Sequence, residues 1–437
     1  MTRLERAPVA PALFALLAAG ILAAPASTQG RLWIVDAGSG CPLVDFPSIQ
    51  QAIHAAADGD AILVRPGTYG KFTVANKSLA LFADDSGAVS ITDTGISALV
   101  TGMVPGGVVL RGFELRNVQV SDCTGPVWIE DCRVEGFPAN PPFTPPPQPG
   151  ALTVRDASSV AVLRGLIEGH GGSDGGAGQN ALWIETADVH LYDSELEGGP
   201  GSPAFFTGGA SGFTAGSGGS GIALIDGGFL HASECLVSGG QGGAGDGLFS
   251  CHNGGSGGRG LFVQGNGQEV HALETTLAGG PGGPGMFCPD GQPGVALDGP
   301  GLASLTLTGT PSGARSLSSA ARVVPESGSI DLDFRGPAGD AAFAVWQLAQ
   351  DHVFLPPFLG TLLPAQPLGL LSLGTVPATG QLSAGVPVPG GILGPMQALA
   401  VYLQGVGLGA GGAVLGSATA VLIVDASYDP FDGCTPP

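Results

Sequence analysis

Three histidines, His190, His231 and His271, hold one place in a recurring pattern, and an acid follows each by three residues: Asp193, Glu234 and Glu274. If the pattern stacks in parallel strands, equivalent side chains lie about 4.8 Å apart and form ladders. Neutral imidazole beside carboxylate is ligand chemistry for zinc or a similar metal. A divalent cation is the one cofactor these residue types suggest. Without a cation, like charges so close repel and must stay solvated. Repeats of common ancestry also produce such ladders, with His tolerated on an exposed or loop-covered strand face and the acids part of a generally acidic surface.

Two further sets share places in the pattern. Trp183, Ala223 and Phe262 read either as a platform on which a sugar ring stacks or as packing beneath a loop. Cys251 and Cys288 hold matching places in consecutive Gly-rich segments. Such segments bury no core of their own, so a Cys251–Cys288 disulfide is expected to compensate. Cys132 and Cys235 share an inward place and read as buried small hydrophobes, while Cys41, Cys123 and Cys434 have no assignment.

The elements that must position these residues follow from the repeat. Val127 to Val134, Val160 to Ile167, Val189 to Leu196, Leu230 to Val237 and Val270 to Leu277 align, with starts 33, 29, 41 and 40 residues apart. Their apolar residues fall two apart, with Val127, Val160, Val189, Leu230 and Val270 inward, followed by Ile129, Val162, Leu191, Ala232 and Ala272. A second strand precedes the later ones, with Leu152 and Val154, Leu182 and Ile184, Ile222 and Leu224, and Leu261 and Val263 in matching places. Period-two alternation at coil spacing is what a stacked parallel sheet needs to bury a continuous core. The last coil is expected over Val295 to Leu307. Gly-rich excursions follow each later coil, at 169–179, 198–220, 239–260 and 279–294, and should pile into a wall at one corner, the expected binding face. An earlier corner carries the Pro-rich stretch 138–149, read as a polyproline-like spur.

The ends of the chain differ from this middle. Residues 1–26 have a basic start at Arg3 and Arg6, an apolar run from Ala12 to Ala24, and Ala24-Pro25-Ala26 as a small-residue cleavage site, the three parts of a secretory signal. No later segment offers about 20 apolar residues unbroken by Gly, Pro or charge, so no transmembrane segment is expected after signal removal. Residues 27–310 are assigned to the coiled middle, and 311–437 to short strands at sandwich spacing. The formal net charge is −21, with only two lysines, which makes nucleic acid a poor partner. A loop-rich, exported or cell-surface, all-β protein fits this composition.

The start of the middle resembles a known family. Ser48-Ile49-Gln50, Ala52-Ile53, Gly59-Asp60, Pro66-Gly67-Thr68-Tyr69 and Ser78-Leu79-Ala80-Leu81 resemble the opening of right-handed parallel β-helix proteins of the pectin-lyase-like class. The resemblance implies a short helix, capped by Ser48 and Gln51, plugging the open end of the coil. The tail resembles a C-terminal β-sandwich module of large secreted bacterial proteins, through Gly391-Ile392-Leu393-Gly394, Ala398 to Gln404 and Val421 to Val424. The β-helix class includes polysaccharide lyases and hydrolases. Gly169-His170-Gly171 and Asp84-Asp85 resemble polygalacturonase elements. They lie in different coils, however, and the family's Asn-Thr-Asp and Arg-x-Lys elements are missing. A lyase would need clustered Asp residues holding a cation near a basic residue, and none accompanies Arg133 or Arg155. The calcium nonapeptide is approached only by Gly242-Gly243-Ala244-Gly245-Asp246, unrepeated and with its Asp one place early. The expectation is therefore a non-catalytic surface protein that binds polysaccharide or another surface component. The alternative is a polysaccharide lyase or glycoside hydrolase acting on an acidic polysaccharide.

Overall fold

The computed structural model describes residues 30–38, 44–93, 95–102, 106–137, 149–173, 175–204, 215–245, 253–286, 288–299, 302–308 and 315–426. Residues 1–29, with the expected secretory signal, most of the Pro-rich stretch, Cys41, Cys251 and Cys434 lie outside them. Among the described residues no helix is long and apolar enough to cross a membrane.

Period-two apolar alternation gives mostly parallel strands wound into a β-helix-like stack with three ladders. The first ladder runs through Leu32–Val35, Ala61–Val64, Leu79–Ala83, Val108–Arg111, Pro126–Glu130, Ser159–Leu163, the later parts of Asn180–Tyr192 and Ile222–Ser233, Gln268–Leu273 and Leu302–Thr308. The second contains Gly67–Tyr69, Val89–Ile91, Phe113–Arg116, Arg133–Glu135, Leu166–Glu168, Glu195–Glu197, Leu236–Ser238 and Thr276–Ala278. The third begins at Phe72–Ala75 and ends at Leu297–Asp298. The expected register holds: Ile184, Val189, Leu191 and Leu224 are fully buried in one core that runs through successive coils. The helix Ile49–Ala55 starts at Ser48, whose hydroxyl accepts from the Gln51 amide, and it buries Ile49, Ala52 and Ile53 against the first coils.

The corner between the first and second ladders has its own backbone rule. Asp131, Arg164, Asp193, Glu234 and Glu274 all have φ between 49° and 60°. The amides of the first four donate to carbonyls of the following coil, at Leu163, Tyr192, Ser233 and Leu273. A left-handed conformation costs a side-chain-bearing residue about 1–3 kcal/mol, which the stacked hydrogen bonds offset. Charged residues are thereby held one above another at this corner.

Residues after Arg315 form two further sheets. One is antiparallel, with strands Ser316–Ser319, Ser329–Arg335 and Gln381–Pro387. The other joins Val323–Pro325, Gly412–Val424, Ala398–Gly409, Ala341–Gln347 and Gly369–Thr375. One apolar cluster is shared between them, including Leu332 and Phe334 from the first and Ala344, Leu403 and Ile423 from the second. A hairpin of Gln350–Leu355 and Gly360–Pro364 projects beside them; the sequence pattern marks no strand there.

Candidate functional site

The outward side of the first ladder is covered. Leu63, Phe82, Val109, Trp128, Leu163 and Tyr192 point away from the coil core, yet they form a second apolar cluster with Leu363, Tyr402, Ala418, Ala420 and Leu422 of the tail. Beside this cluster, four charged residues fasten the tail to the coil, Arg111 and Glu130 at strand ends and Asp131 and Arg164 at the corner. Glu130 and Arg111 are fully buried, and Arg111 Nε lies 3.0 Å from Glu130 Oε1. Asp131 bridges Arg111 and Arg164 at 2.9 and 2.8 Å. Burial opposes its ionisation, but the two guanidinium groups hold its carboxyl below the usual range. Glu130 accepts from Trp128 Nε1, Thr419 Oγ1 and the Ala420 amide at 2.6 to 2.8 Å. Arg111 donates to the Ser319 and Ala420 carbonyls, and Arg164 to those of Leu317 and Ala418. Every charge is thus met by an opposite charge, and Glu130, Arg111 and Arg164 also by backbone, the condition under which a buried ionic cluster is tolerated. Asp84 and Asp85 belong to the same junction, since Arg322 donates to the Asp84 carbonyl and, from its amide, to the Asp85 carboxylate.

The histidines stack as the repeat requires, His190 on His231 on His271, and the first two are buried by the hairpin. Thr361 Oγ1 lies 2.9 Å from His190 Nδ1 and 3.4 Å from His231 Nδ1. His352 packs edge-on to His190, and Phe354 lies 5.3 and 4.6 Å, centroid to centroid, from His231 and His271. Burial pushes the His231 and His352 imidazoles down to about 3 and His190 well below its ordinary value. All three are therefore neutral at physiological pH. His271, at the edge, pairs with Glu269 at 2.7 Å. Among the described residues no group of three or more His, Cys, Asp or Glu is arranged to hold a metal ion. This ladder is an interior seam between coil and tail.

The acids of the ladder occupy the left-handed corner, on the other side of the same seam. Burial raises Glu234 to about 9, helped by a hydrogen bond with Asp193 and by the nearby charges of Asp193 and Glu274. Glu234 also accepts the Arg315 amide at 2.6 Å. It holds a proton against its neighbour, as one of two close carboxyls must.

The Gly-rich excursions are ordered where described. Outgoing arms 198–204, 239–245 and 279–285 alternate with returning arms 215–221, 253–260 and 288–294. Their backbones bond every third residue: Gly240 donates to Gly219 and Gly243 to Gly216; Gly258 donates to Gly240 and Gly255 to Gly243; Gly280 donates to Gly258 and Gly283 to Gly255, all at 2.8 Å. A second set runs between like arms of successive coils, such as Gly201 to Gln241 and Gly242 to Pro281. A three-residue period with bonds only to neighbouring arms is that of polyproline II-type helices. Glycine is required by close approach: a Cβ on Gly258 would stand 1.9 Å from the Gly219 oxygen, and one on Gly243 1.9 Å from that of Ser202. The third residue of each Gly-Gly-x unit, such as Pro200, Gln241, Ser256 and Pro281, is accessible. The wall expected at this corner exists, but as a hydrogen-bonded backbone bundle and not as loosely tethered loops.

The outward side of the second ladder is open. Ser90, Thr92, Glu114, Arg116, Arg133 and Glu135 line a groove of about 300 Å³ there. Arg133 pairs with Glu135 at 2.9 Å and with Glu168 at 2.8 Å, and Ser90 donates to Glu114. Sequence reasoning missed this groove because its residues sit in or beside strands of only three or four residues with no aromatic on the outward face. Trp183, Ala223 and Phe262 do share one outward register on the third ladder. Ala223 is buried, Trp183 donates to Glu185, and the Arg259 guanidinium lies 4.6 Å over the Phe262 ring. Cys123, Cys132 and Cys235 are buried free thiols, pushed up by burial to about 11, 12 and 12. Cys288 is disulfide-bonded, while Cys251 lies outside the described residues. His170 sits in a Gly arm with its Nδ1 2.6 Å from the Gly171 oxygen, three coils beyond Asp84 and Asp85. In comparisons with protein-family models, curated proteins and solved structures, nothing matches this chain.

Proposed function

We propose that the chain is an exported, non-catalytic binding protein: a right-handed, pectin-lyase-like β-helix closed on one side by a β-sandwich and presenting its second side to a polysaccharide or another surface component. The groove over Ser90, Glu114, Arg116, Arg133 and Glu135 carries this reading. It combines hydroxyl, carboxylate and guanidinium groups, which hydrogen-bond sugar hydroxyls and uronate carboxylates, on a strand surface whose described lining comes from the coil alone. The two elements that resemble polygalacturonase argue against hydrolysis. Asp84 and Asp85 are engaged by Arg322 at the tail junction, and His170 belongs to a Gly arm.

The test is a panel of acidic and neutral polysaccharides, assayed both for binding and for reducing ends and unsaturated products. Binding without product is expected, weakened about tenfold by Arg133→Ala, about 1.4 kcal/mol, with the melting midpoint unchanged. Product formation would establish the lyase or hydrolase alternative instead. Binding indifferent to Arg133 would remove the groove from the reading.

A further inference from the structure

The two ends of the coil are finished differently. At the start, the helix Ile49–Ala55 covers the core and buries Ile49, Ala52 and Ile53. At the far end no described residue forms a comparable lid over the core. Leu305 pairs with Val270, an inward position, and its equivalents Val127, Val160, Val189, Leu230 and Val270 are at most 1 % exposed, yet Leu305 is 37 % exposed. Leu277 and Leu297, also at inward places, are only half-buried. Val295, just before the strand Leu297–Asp298, is 51 % exposed. The edge strand, Leu302–Thr308, has the sequence LASLTLT, with no charge, proline or glycine to discourage a further strand.

The glycine bundle ends at the same place. Gly201 and Gly242 each donate to the outgoing arm of the next coil, and Gly282 is their equivalent in the last described coil. On the returning arms, Gly178, Gly218 and Gly257 donate onward to Ser217, Ser256 and Gln292. The next residue in that series is Pro293, which has no N–H. One arm of the last layer is therefore closed and the other open.

We infer that two copies of this chain associate end to end through this last coil, around a two-fold axis. Three observations select a second copy. The opposite end is plugged by a helix, so head-to-tail stacking has no complementary surface, while a two-fold contact needs only the open end itself. An edge strand meets its two-fold mate antiparallel, a pairing any strand edge accepts. The outgoing Gly arm would likewise meet its mate antiparallel, and antiparallel arms already bond throughout this bundle, as Gly280 and Gly283 do with Gly258 and Gly255. A different protein would have to bring its own Gly-Gly-x arm at matching spacing. The strong negative charge of the chain is not concentrated here: the edge strand carries none, and Asp298 is neutralised by Arg259.

Sedimentation velocity of the purified chain over a hundredfold concentration range tests this. The expected result is a dimer that Val295→Glu and, separately, Leu305→Glu shift to monomer, with at least a tenfold weaker dimer constant and an unchanged far-UV spectrum. Val295 is half-exposed at the rim, so its variant keeps the test valid should Leu305→Glu disturb the last coil. A wild-type chain that is monomeric throughout, an assembly that grows beyond two copies, or a dimer indifferent to Val295→Glu would each overturn the inference.

Discussion

The seam between coil and tail and the glycine wall are both surfaces laid across successive coils, and they are held by opposite means. The seam uses large, titratable side chains brought out of water: Glu130, Arg111, Arg164, His190 and His231 of the coil meet groups of the tail, and His352 of the tail meets Ser159 of the coil. The wall uses backbone alone. Its arms approach until only a hydrogen atom fits at the Cα, and its bonds do not change with pH. The seam should respond to protons and charge substitutions and hardly to small changes of volume. The wall should do the reverse.

Acid should separate the two most strongly. His190, His231 and His352 have folded-state pKa values below the unfolded value near 6.5, through burial first and, for His190 and His231, neighbouring imidazoles second. Their neutral forms are favoured in the fold, so the stability they permit is complete above about pH 6.5 and is lost as pH falls towards 3, by roughly a factor of ten per pH unit for each imidazole. Glu234 works with the opposite sign. Its pKa is raised to about 9 by burial and then Asp193, so its contribution is full below the unfolded carboxyl value and is lost as pH rises towards 9. With three imidazoles against one carboxyl, the melting midpoint should fall steeply from pH 6.5 to 4. Amide exchange should show the hairpin 350–364 opening before the Gly arms. Arms that open first would place the acid-labile element elsewhere.

Glu130→Ala comes next in size. It leaves Arg111 and Arg164 with Asp131 alone in the seam and strips Thr419 Oγ1 and the Ala420 amide of their acceptor. Removing one member of a buried ionic cluster costs about 3–5 kcal/mol, readable in a urea titration. Glu130→Gln retains an acceptor oxygen and should cost less. Equal losses for the two variants would mean that charge is not what the seam uses.

Much of the coil is legible in the sequence, because period-two alternation at coil spacing is a local signal: Ile184, Val189, Leu191 and Leu224 are expected inward by their spacing and are buried in the coil core. The histidine ladder is legible for the same reason, since register is carried along the repeat. What covers it is not, because Thr361 and His352 reach it from far along the chain and the hairpin strands carry little alternation. The sequence nevertheless carries a warning. Ala61–Val64 and Leu79–Ala83 are apolar at every position, the mark of a strand buried on both faces, and Trp128 and Tyr192 point outward from the same ladder. Arg111, Glu130 and Arg164 are invisible as a cluster because the first two end neighbouring strands, the third stands at the left-handed corner, and the tail groups that meet them lie far along the chain. In the excursions, glycine content draws attention away from spacing, although Gly-Gly-x recurs at three-residue intervals in 239–245, 254–260 and 279–285.

The smallest effect is the one that tests the wall. In a loop without close neighbours, Gly258→Ala would stabilise the chain by about 0.4–1 kcal/mol, because alanine has fewer unfolded conformations to lose. Gly258 is not among the residues with positive φ, so backbone strain does not decide the sign. Contact does: the new methyl would sit 1.9 Å from the Gly219 oxygen and 2.7 Å from its carbonyl carbon, and both belong to a backbone bonded on to Gly199. Over-packing of this kind costs about 1–3 kcal/mol, which outweighs the entropic gain. A net loss of about 1–2 kcal/mol is expected, with exchange of the Gly240 and Gly280 amides accelerated and the acid response of the seam unchanged. Ser256→Ala, two residues away at the accessible third place, keeps the backbone bond from Gly218 and should change nothing measurable. Gly258→Ala that stabilises the chain would show that the arms do not pack as a bundle in solution and would return the excursions to flexible surface loops.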